Sequence, residues 1–145
     1  MNLRQQSYNN QKFDDLKINQ PKQPLSKEYQ DQAKIFLEEG NAYEIAKKME
    51  KIPPHQLRKI LDPIKEATEM IKKDPSQFNE ARNKLYNVVP LTAYNAGRNP
   101  KIKVLYYFVK GHINEKTVQS KEDIIVLDKL FTSIIAYHKF FAGNK

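Results

Sequence analysis

The sequence predicts an all-α protein, folded as one compact bundle of five to six helices. Apolar residues recur three and four positions apart along most of the 145-residue chain, a spacing that places them on one face of an α-helix. Only four glycines are present, fewer than the turns of a β-rich fold require. Several periodic stretches also begin with a proline or a capping residue, as helices do.

The first 24 residues predict a polar, flexible N-terminal tail rather than a part of the bundle. Nine of these residues are Asn or Gln, and the apolar ones follow no period. Pro21 and Pro24 close the stretch, which cannot bury enough apolar surface to offset the entropy lost on ordering. The helical domain is therefore expected at residues 25–145.

Six apolar-periodic stretches follow, and start or stop signals mark their ends. Ser26 and Asn41 are capping residues for the first two, and the first of these ends at Gly40. The last stretch begins at Ser120, where Asp123 takes the place of glutamate in a capping box. The predicted helices occupy residues 26–40, 41–52, 57–71, 75–97, 100–109 and 120–141.

Two prolines and one apolar run leave the course of three helices open. Pro63 removes a backbone hydrogen bond and predicts a kink or a break in the third helix. Pro90 bends or interrupts the fourth. Residues 104–109 are continuously apolar and could form a buried strand, but the Asn99-Pro100 start signal and the lack of a partner strand favour a helix.

Composition excludes several classes of function. The chain has no cysteine, which rules out disulfides, thiolate catalysis and cysteine metal sites. No apolar run approaches the ~18 residues of a membrane span, and the N-terminus lacks the apolar stretch of a secretory signal. With a mean hydropathy of −0.76, the protein is expected in the cytoplasm, away from membranes.

The net charge of +8 predicts a polyanionic partner, and this charge is unevenly distributed. Residues 53–110 hold eleven basic and five acidic side chains, a net +6, whereas residues 23–52 carry a net −1. The basic excess thus falls in the central third of the chain. Charge alone leaves open whether a nucleic acid, a membrane surface or an acidic protein is the partner.

Within this central third, basic residues recur at intervals of seven. Arg58, Lys65 and Lys72 lie along one helix face, with about 10 Å between successive positions. Such a row suits contacts to phosphates. Asp62 and Glu69 interleave on the same face, so ion pairing at i, i+4 explains the row equally well. Nucleic-acid binding and an ordinary solvated face both stay open.

Further basic positions follow on the later helices. Lys103 and Lys110 repeat the seven-residue interval. Arg98 follows Gly97 in a predicted loop, where its guanidinium could reach a phosphate. Together with the first row, these residues would form a surface that follows a nucleic-acid backbone.

Most aromatic side chains fall on apolar stripes and are predicted to pack in the core. Tyr94 and Tyr137 flank basic residues and could stack on unpaired bases, but a structural role is favoured for both. The aromatic residues assigned to the core are Phe36, Phe78, Tyr106, Phe108, Phe131 and Phe141.

The sequence carries no catalytic constellation. Its three histidines lie on three different segments, without the spacing of a zinc site, and no serine stands in a G-x-S-x-G elbow. His138 could contact a phosphate or stabilise the end of the last helix, whereas structural roles are favoured for His55 and His112. The protein is therefore predicted to be no enzyme and to use neither a metal nor a cofactor.

Three short strings, taken in order, resemble one family. They are Q-L-R-K at 56–59, A-Y-N-A-G-R at 93–98 and A-Y-H-K-F-F-A-G at 136–143. Their order and spacing, with the acidic capping turn at 120–123, are similar to those of the small subunit of type III-A CRISPR–Cas effectors, the Csm complexes. The resemblance extends over roughly residues 25–145. Pro63 and the Asn/Gln-rich tail depart from the family pattern.

This resemblance implies a helical scaffold with no active site of its own. Several copies stack as an inner filament beside the groove in which guide RNA pairs with target RNA, and they contact the nucleic acid without reading its sequence. Cleavage falls to the backbone and large subunits. The expected partners are therefore the guide and target RNA, these Csm subunits, and further copies of the chain in a filament or a dimer.

Positions matched to the family strings supply most of the RNA-contact candidates. The resemblance implies Arg58 and Lys59 of Q-L-R-K, Arg98 of A-G-R and Lys139 of A-Y-H-K, with Tyr137 and Phe140 packed in the core. Lys65 and Lys103 of the basic rows complete the set. The alternative function is a helical protein–protein adaptor whose basic face meets acidic partner surfaces, without direct contact to nucleic acid. The predicted RNA-binding residues are Arg58, Lys59, Lys65, Arg98, Lys103 and Lys139.

Overall fold

The computed structural model describes residues 18–143, and this part of the chain is helical without a strand. It contains eight α-helices and two single turns of 3-10 helix, at Pro75–Gln77 and Pro100–Ile102. Six of the helices have eight residues or more, which confirms the predicted all-α bundle. The helices are α1 (Leu25–Glu28), α2 (Ala33–Phe36), α3 (Asn41–Lys48), α4 (Pro54–Lys73), α5 (Phe78–Tyr86), α6 (Val88–Arg98), α7 (Lys103–His112) and α8 (Lys121–Ala142).

Helix α8 is the central element, packed along α3 and α4 and covered further by α1 and α2. Its Leu127, Leu130, Phe131 and Ile134 are fully buried. Each such side chain contributes about 1.5–3 kcal/mol relative to an exposed position. The ring of Phe131 lies 5.6 Å from that of Phe108, so α7 joins the same core.

The capping box predicted at the start of α8 is confirmed. Asp123 accepts hydrogen bonds from the backbone N–H groups of Gln119 and Ser120, at 2.8 and 3.1 Å. Its other carboxylate oxygen accepts from the Ser26 N–H at 2.8 Å, which ties the first helical turn to the last helix. At the other end, Gly143 closes α8 with φ 66, a conformation that favours glycine.

The single helix predicted at residues 26–40 is wrong, because α1 and α2 are separate turns. Tyr29 follows α1 and is 1% exposed, while Ile35 in α2 is fully buried. Asp31 Oδ1 accepts a hydrogen bond from the Ala33 N–H at 3.1 Å, a local bond that competes with a continuous helix. The bend between the turns lets both side chains reach the core.

The next two helices follow the predicted stretches with two corrections. Gly40, not Asn41, is the capping residue of α3, and Asn41 is its first helical residue. Helix α4 begins with Pro54, at a position where a missing N–H costs no helical bond. It runs through Pro63 to Lys73, so the break that Pro63 allowed does not occur.

The later helices also differ from the prediction in detail. The fourth predicted helix is interrupted at Asn87 rather than at Pro90, because Pro90 lies in the first turn of α6, where prolines are tolerated. Helix α6 continues through Gly97 to Arg98, so the loop position predicted for Arg98 is wrong. Residues 104–109 are helical within α7, which confirms the helix and excludes the strand.

Core packing is confirmed for some aromatic side chains and wrong for others. Phe108 and Phe131 are fully buried. Phe36 is 45% exposed and Phe140 70% exposed, so neither is a core residue, and Tyr94 is 65% exposed despite its favoured structural role. The aromatic residues that pack at the edge of the core are Phe78, Tyr86, Tyr106, Tyr137 and Phe141.

Part of the predicted tail packs against the helices. Ile18 and Pro21 are buried. The Gln20 side-chain amide donates a hydrogen bond to the Tyr107 carbonyl at 3.1 Å, so the segment leading into α1 lies against α7. Residues 1–17 of the predicted tail lie outside the described residues, and its end at residue 24 stays a prediction.

Candidate nucleic-acid interface

Arg58 and Lys139 line one surface cavity, although 81 positions separate them in the sequence. Helix α4 begins beside the end of α8, which brings the first turns of one helix next to the last turns of the other. Both side chains are exposed. The cavity has a volume of about 190 Å³, and we call it the Arg58 cavity. It is lined by Pro54, Leu57, Arg58, Ile135, His138, Lys139, Ala142 and Gly143.

His138 forms a wall of the Arg58 cavity and is 2% exposed. Its Nε2 lies 2.9 Å from the carbonyl oxygen of Ile52. Because a carbonyl only accepts, this nitrogen is the donor. The imidazole therefore holds the segment before α4 against α8, which overturns the predicted phosphate contact of His138.

The structure separates the other two candidates on α4 from this cavity. Lys59 is exposed but does not line it. The Nζ of Lys65 lies 2.6 Å from Asp128 Oδ1 on α8, so this lysine forms an ion pair between helices. The carboxylates weighed as partners, Asp62 and Glu69, are not the ones it meets. Lys65 thus has a structural contact that the sequence pattern did not reveal.

Arg98 and Lys103 lie elsewhere, on either side of the Pro100–Ile102 turn. Both are exposed, and neither lines the Arg58 cavity. The Arg98 guanidinium lies 5.7 Å from the centre of the Tyr94 ring, within the range of a cation–π contact. Proteins that bind single-stranded nucleic acids commonly use exposed aromatic rings for stacking and basic side chains for charge.

A second basic depression lies between the end of α3 and the Pro100–Ile102 turn. Its volume is about 220 Å³, and four of the eight residues that line it are lysines. We call it the lysine groove. It is lined by Lys47, Lys48, Glu50, Lys51, Ile52, Pro100, Lys101 and Val104.

Strongly shifted pKa values lie in the core and not at either depression. Burial lowers the pKa of His112 to about 4 and raises the pKa of Tyr29 to about 12. These two side chains share a hydrogen bond of 2.8 Å and serve the packing of α1 on α7. Across residues 18–143, no group of three or more His, Asp or Glu side chains is placed to hold a metal ion.

The family model described as Csm2 Type III-A matches residues 32–144, more than three quarters of the chain. The chain belongs to this family. It is therefore a subunit of a type III-A CRISPR complex and associates with other Csm subunits. This confirms the family that the three strings resembled. Neither the curated proteins nor the solved structures include a significant match.

All six predicted RNA-binding residues lie within the part that matches the Csm2 family model. The structure brings only Arg58 and Lys139 to one cavity. The lysine groove also lies within the matched part. No helix among the described residues is both long enough and apolar enough to cross a membrane.

The charge pattern along the sequence conceals the lysine groove. Lys47, Lys48 and Lys51 belong to residues 23–52, whose net charge is −1. The acidic side chains Glu39 and Glu44 of this segment line a neighbouring depression along α3, which shares Lys48 with the groove. If net charge is counted over a window as short as the end of one helix, rather than over a third of the chain, the lysine cluster becomes visible.

Proposed function

We propose that this Csm2-family chain is a non-catalytic RNA-binding subunit of a cytoplasmic type III-A complex. Further copies stack with it as an inner filament along the guide RNA–target RNA duplex and contact that duplex without sequence specificity. The observation that carries the proposal is the convergence of Arg58 and Lys139 on one cavity. These two residues come from separate strings that resemble the family.

The chemistry of the Arg58 cavity suits binding to a phosphate. A guanidinium donates to phosphate oxygens through a planar fork, and a lysine ammonium adds a mobile charge. The lining residues include no carboxylate, so nothing in the cavity neutralises these two cations. The same lining contains no Ser, Thr or Cys nucleophile, and its one imidazole, His138, is 2% exposed and held by the Ile52 carbonyl. Binding, not cleavage, is the function that this arrangement supports.

The form of the RNA duplex explains why such contacts lack sequence specificity. An A-form duplex hides its base edges in a deep, narrow groove, so a protein beside it meets phosphates and 2′-hydroxyls. One copy with a few cations binds weakly. Stacked copies multiply that affinity through effective concentration, which favours a filament of small subunits.

Charge reversal in the Arg58 cavity tests this function. R58E/K139E is expected to weaken target-RNA binding by the reconstituted complex by about tenfold or more, since reversed charges repel phosphates. The matched control is K34E/K129E, which reverses two exposed lysines outside the cavity. RNA affinity is measured by filter binding, and assembly by size-exclusion chromatography. Normal assembly with undiminished RNA binding would overturn the assignment of this cavity.

One observation favours the alternative of a protein-binding adaptor. Leu91 and Tyr94 are 57% and 65% exposed on α6, and Leu37 and Phe140 are 60% and 70% exposed elsewhere. Exposed apolar side chains suit contacts with other proteins. If R58E/K139E blocked assembly and left RNA affinity unchanged, the basic face would bind an acidic subunit surface instead.

A further inference from the structure

The lysine groove holds an excess of positive charge that the fold itself creates. Lys47 lies in the last turn of α3, Lys51 lies in the turn that follows it, and Lys101 approaches from the Pro100–Ile102 turn. With Glu50 and with Lys48, which also lines the neighbouring depression beside Glu39 and Glu44, the lining carries a formal charge of +3. Its floor contains Ile52 and Val104, both 2% exposed. The groove is thus a concave surface with a basic rim.

Local bonds fix the backbone on both sides of the groove. Met49 is fully buried, and its carbonyl accepts from the Ile52 N–H at 2.9 Å, which anchors the turn that carries Lys51. On the other side, the Lys101 N–H donates to Asn99 Oδ1 at 3.2 Å. The lysine stems therefore start from ordered positions, although their ammonium groups remain in contact with solvent.

This arrangement differs from an ordinary solvated helix face. On such faces lysines alternate with carboxylates, as Lys84 does when it pairs with Glu66 at 2.8 Å between α5 and α4. In the groove, Lys47, Lys51 and Lys101 share one depression with a single glutamate, Glu50. Repulsion among like charges in a concave site is relieved when an anion binds.

A shared wall connects the lysine groove with the Arg58 cavity. Ile52 lines the groove, and its carbonyl accepts the hydrogen bond from His138 at 2.9 Å. His138 in turn lines the Arg58 cavity. The two basic depressions therefore share one bonded pair of residues as a common wall.

We propose that the lysine groove is a second phosphate-binding subsite, which receives the backbone of the same RNA that contacts the Arg58 cavity. The inference rests on the proposed function and adds residues that neither the family strings nor the basic rows contain. Lysine suits this role because its ammonium is a hydrated point charge on a flexible stem, able to follow a backbone without reading bases. The ligand is therefore the sugar–phosphate backbone of a nucleic acid.

The salt dependence of RNA binding tests the proposal with the full-length chain. The groove variant is K47A/K51A/K101A, the cavity variant is R58A/K139A, and the matched control K34A/K116A/K129A removes three exposed lysines outside both depressions. Fluorescence anisotropy with a labelled RNA duplex gives the dissociation constant at several salt concentrations. Thermal unfolding by circular dichroism shows that each variant is folded.

The groove variant is expected to bind about tenfold more weakly at low salt. The binding constant decreases with salt, and the magnitude of the slope of log K against log salt should be smaller by about 2 to 3. Each lost phosphate contact reduces that magnitude by about 0.9. A groove variant that matches the control, while the cavity variant weakens binding, overturns the second subsite and leaves the proposed function intact. If both variants bind as the wild type does, the proposed function itself fails.

Incorporation into the reconstituted complex separates RNA from protein as the ligand of the groove. The groove variant is expected to assemble normally and to lose affinity for target RNA. A variant that keeps its RNA affinity but no longer enters the complex would show that the groove docks on an acidic subunit surface, which overturns the proposal.

Discussion

His112 is a neutral imidazole held between two hydrogen bonds in the core. It is fully buried, with Nδ1 3.0 Å from the Phe108 carbonyl and Nε2 2.8 Å from the Tyr29 hydroxyl. Because the carbonyl only accepts, Nδ1 carries the proton and Nε2 accepts from Tyr29. Burial opposes the charged form and lowers the pKa of His112 to about 4.

We therefore expect stability to fall as the pH drops below the ordinary pKa of histidine, about 6.5. Between that value and the folded-state pKa of about 4, the unfolded chain binds a proton that the folded chain does not. The contribution of His112 is fully present above pH ~6.5 and is lost by up to about 3 kcal/mol as the pH falls through this window. Urea unfolding at several pH values between about 7.5 and 4 measures this slope.

The variant His112→Gln is the control for this pH dependence, because it cannot titrate. Its free energy of unfolding should be lower than that of the wild type at neutral pH and flatter with pH. An NMR titration of the wild-type imidazole reports the pKa directly, even if the variant does not fold. A His112 pKa near 6.5 in the folded protein would contradict the expectation.

Between elements, the ion pair of Lys65 and Asp128 joins α4 to α8. The side chain of Asp128 is 11% exposed and that of Lys65 49% exposed, and Thr132 also donates to the carboxylate at 3.2 Å. Removal of the lysine leaves a nearly buried carboxylate with fewer partners. We expect K65M to lower the free energy of unfolding by about 1 kcal/mol, since half-buried pairs exceed exposed ones only modestly.

K72M is the matched control, because Lys72 lies on the same row of α4 and is exposed. Its stability should stay within about 0.5 kcal/mol of the wild type. A double-mutant cycle with D128N isolates the pair from packing effects. Equal effects of K65M and K72M on urea unfolding would show that the ion pair does not stabilise the fold.

The sequence pattern predicted helices well where a single local signal decides the structure. The capping box at Ser120 and the apolar periods of residues 41–52, 57–71, 100–109 and 120–141 fall into this class. It failed at residues 26–40, where periodicity alone suggested one helix. There, burial of both Tyr29 and Ile35 requires a bend. Such a requirement depends on where α7 and α8 lie, which local spacing does not encode.

At the scale of the whole molecule, the candidate site was only partly predictable. The strings that resemble the family pointed to Arg58 and Lys139, and the fold brings these to one cavity. The pairing of Lys65 with Asp128 and the meeting of Lys51 with Lys101 join residues about fifty or more positions apart. Only tertiary packing creates these neighbours, so charge counts along the chain could not find them.

The proposed interface as a whole consists of Arg58 and several lysines around two depressions, and this composition has a consequence for specificity. Such side chains contact phosphates, while the base edges of an A-form duplex stay out of reach. We expect two RNA duplexes of equal length and different sequence to bind the full-length chain within about twofold of each other, with equal salt slopes. Competition anisotropy with both unlabelled duplexes measures the ratio. The control repeats the competition with R58A/K139A, which should weaken both duplexes by the same factor. A tenfold preference for one sequence would show that base edges are read, and the proposed phosphate contacts would then not account for binding.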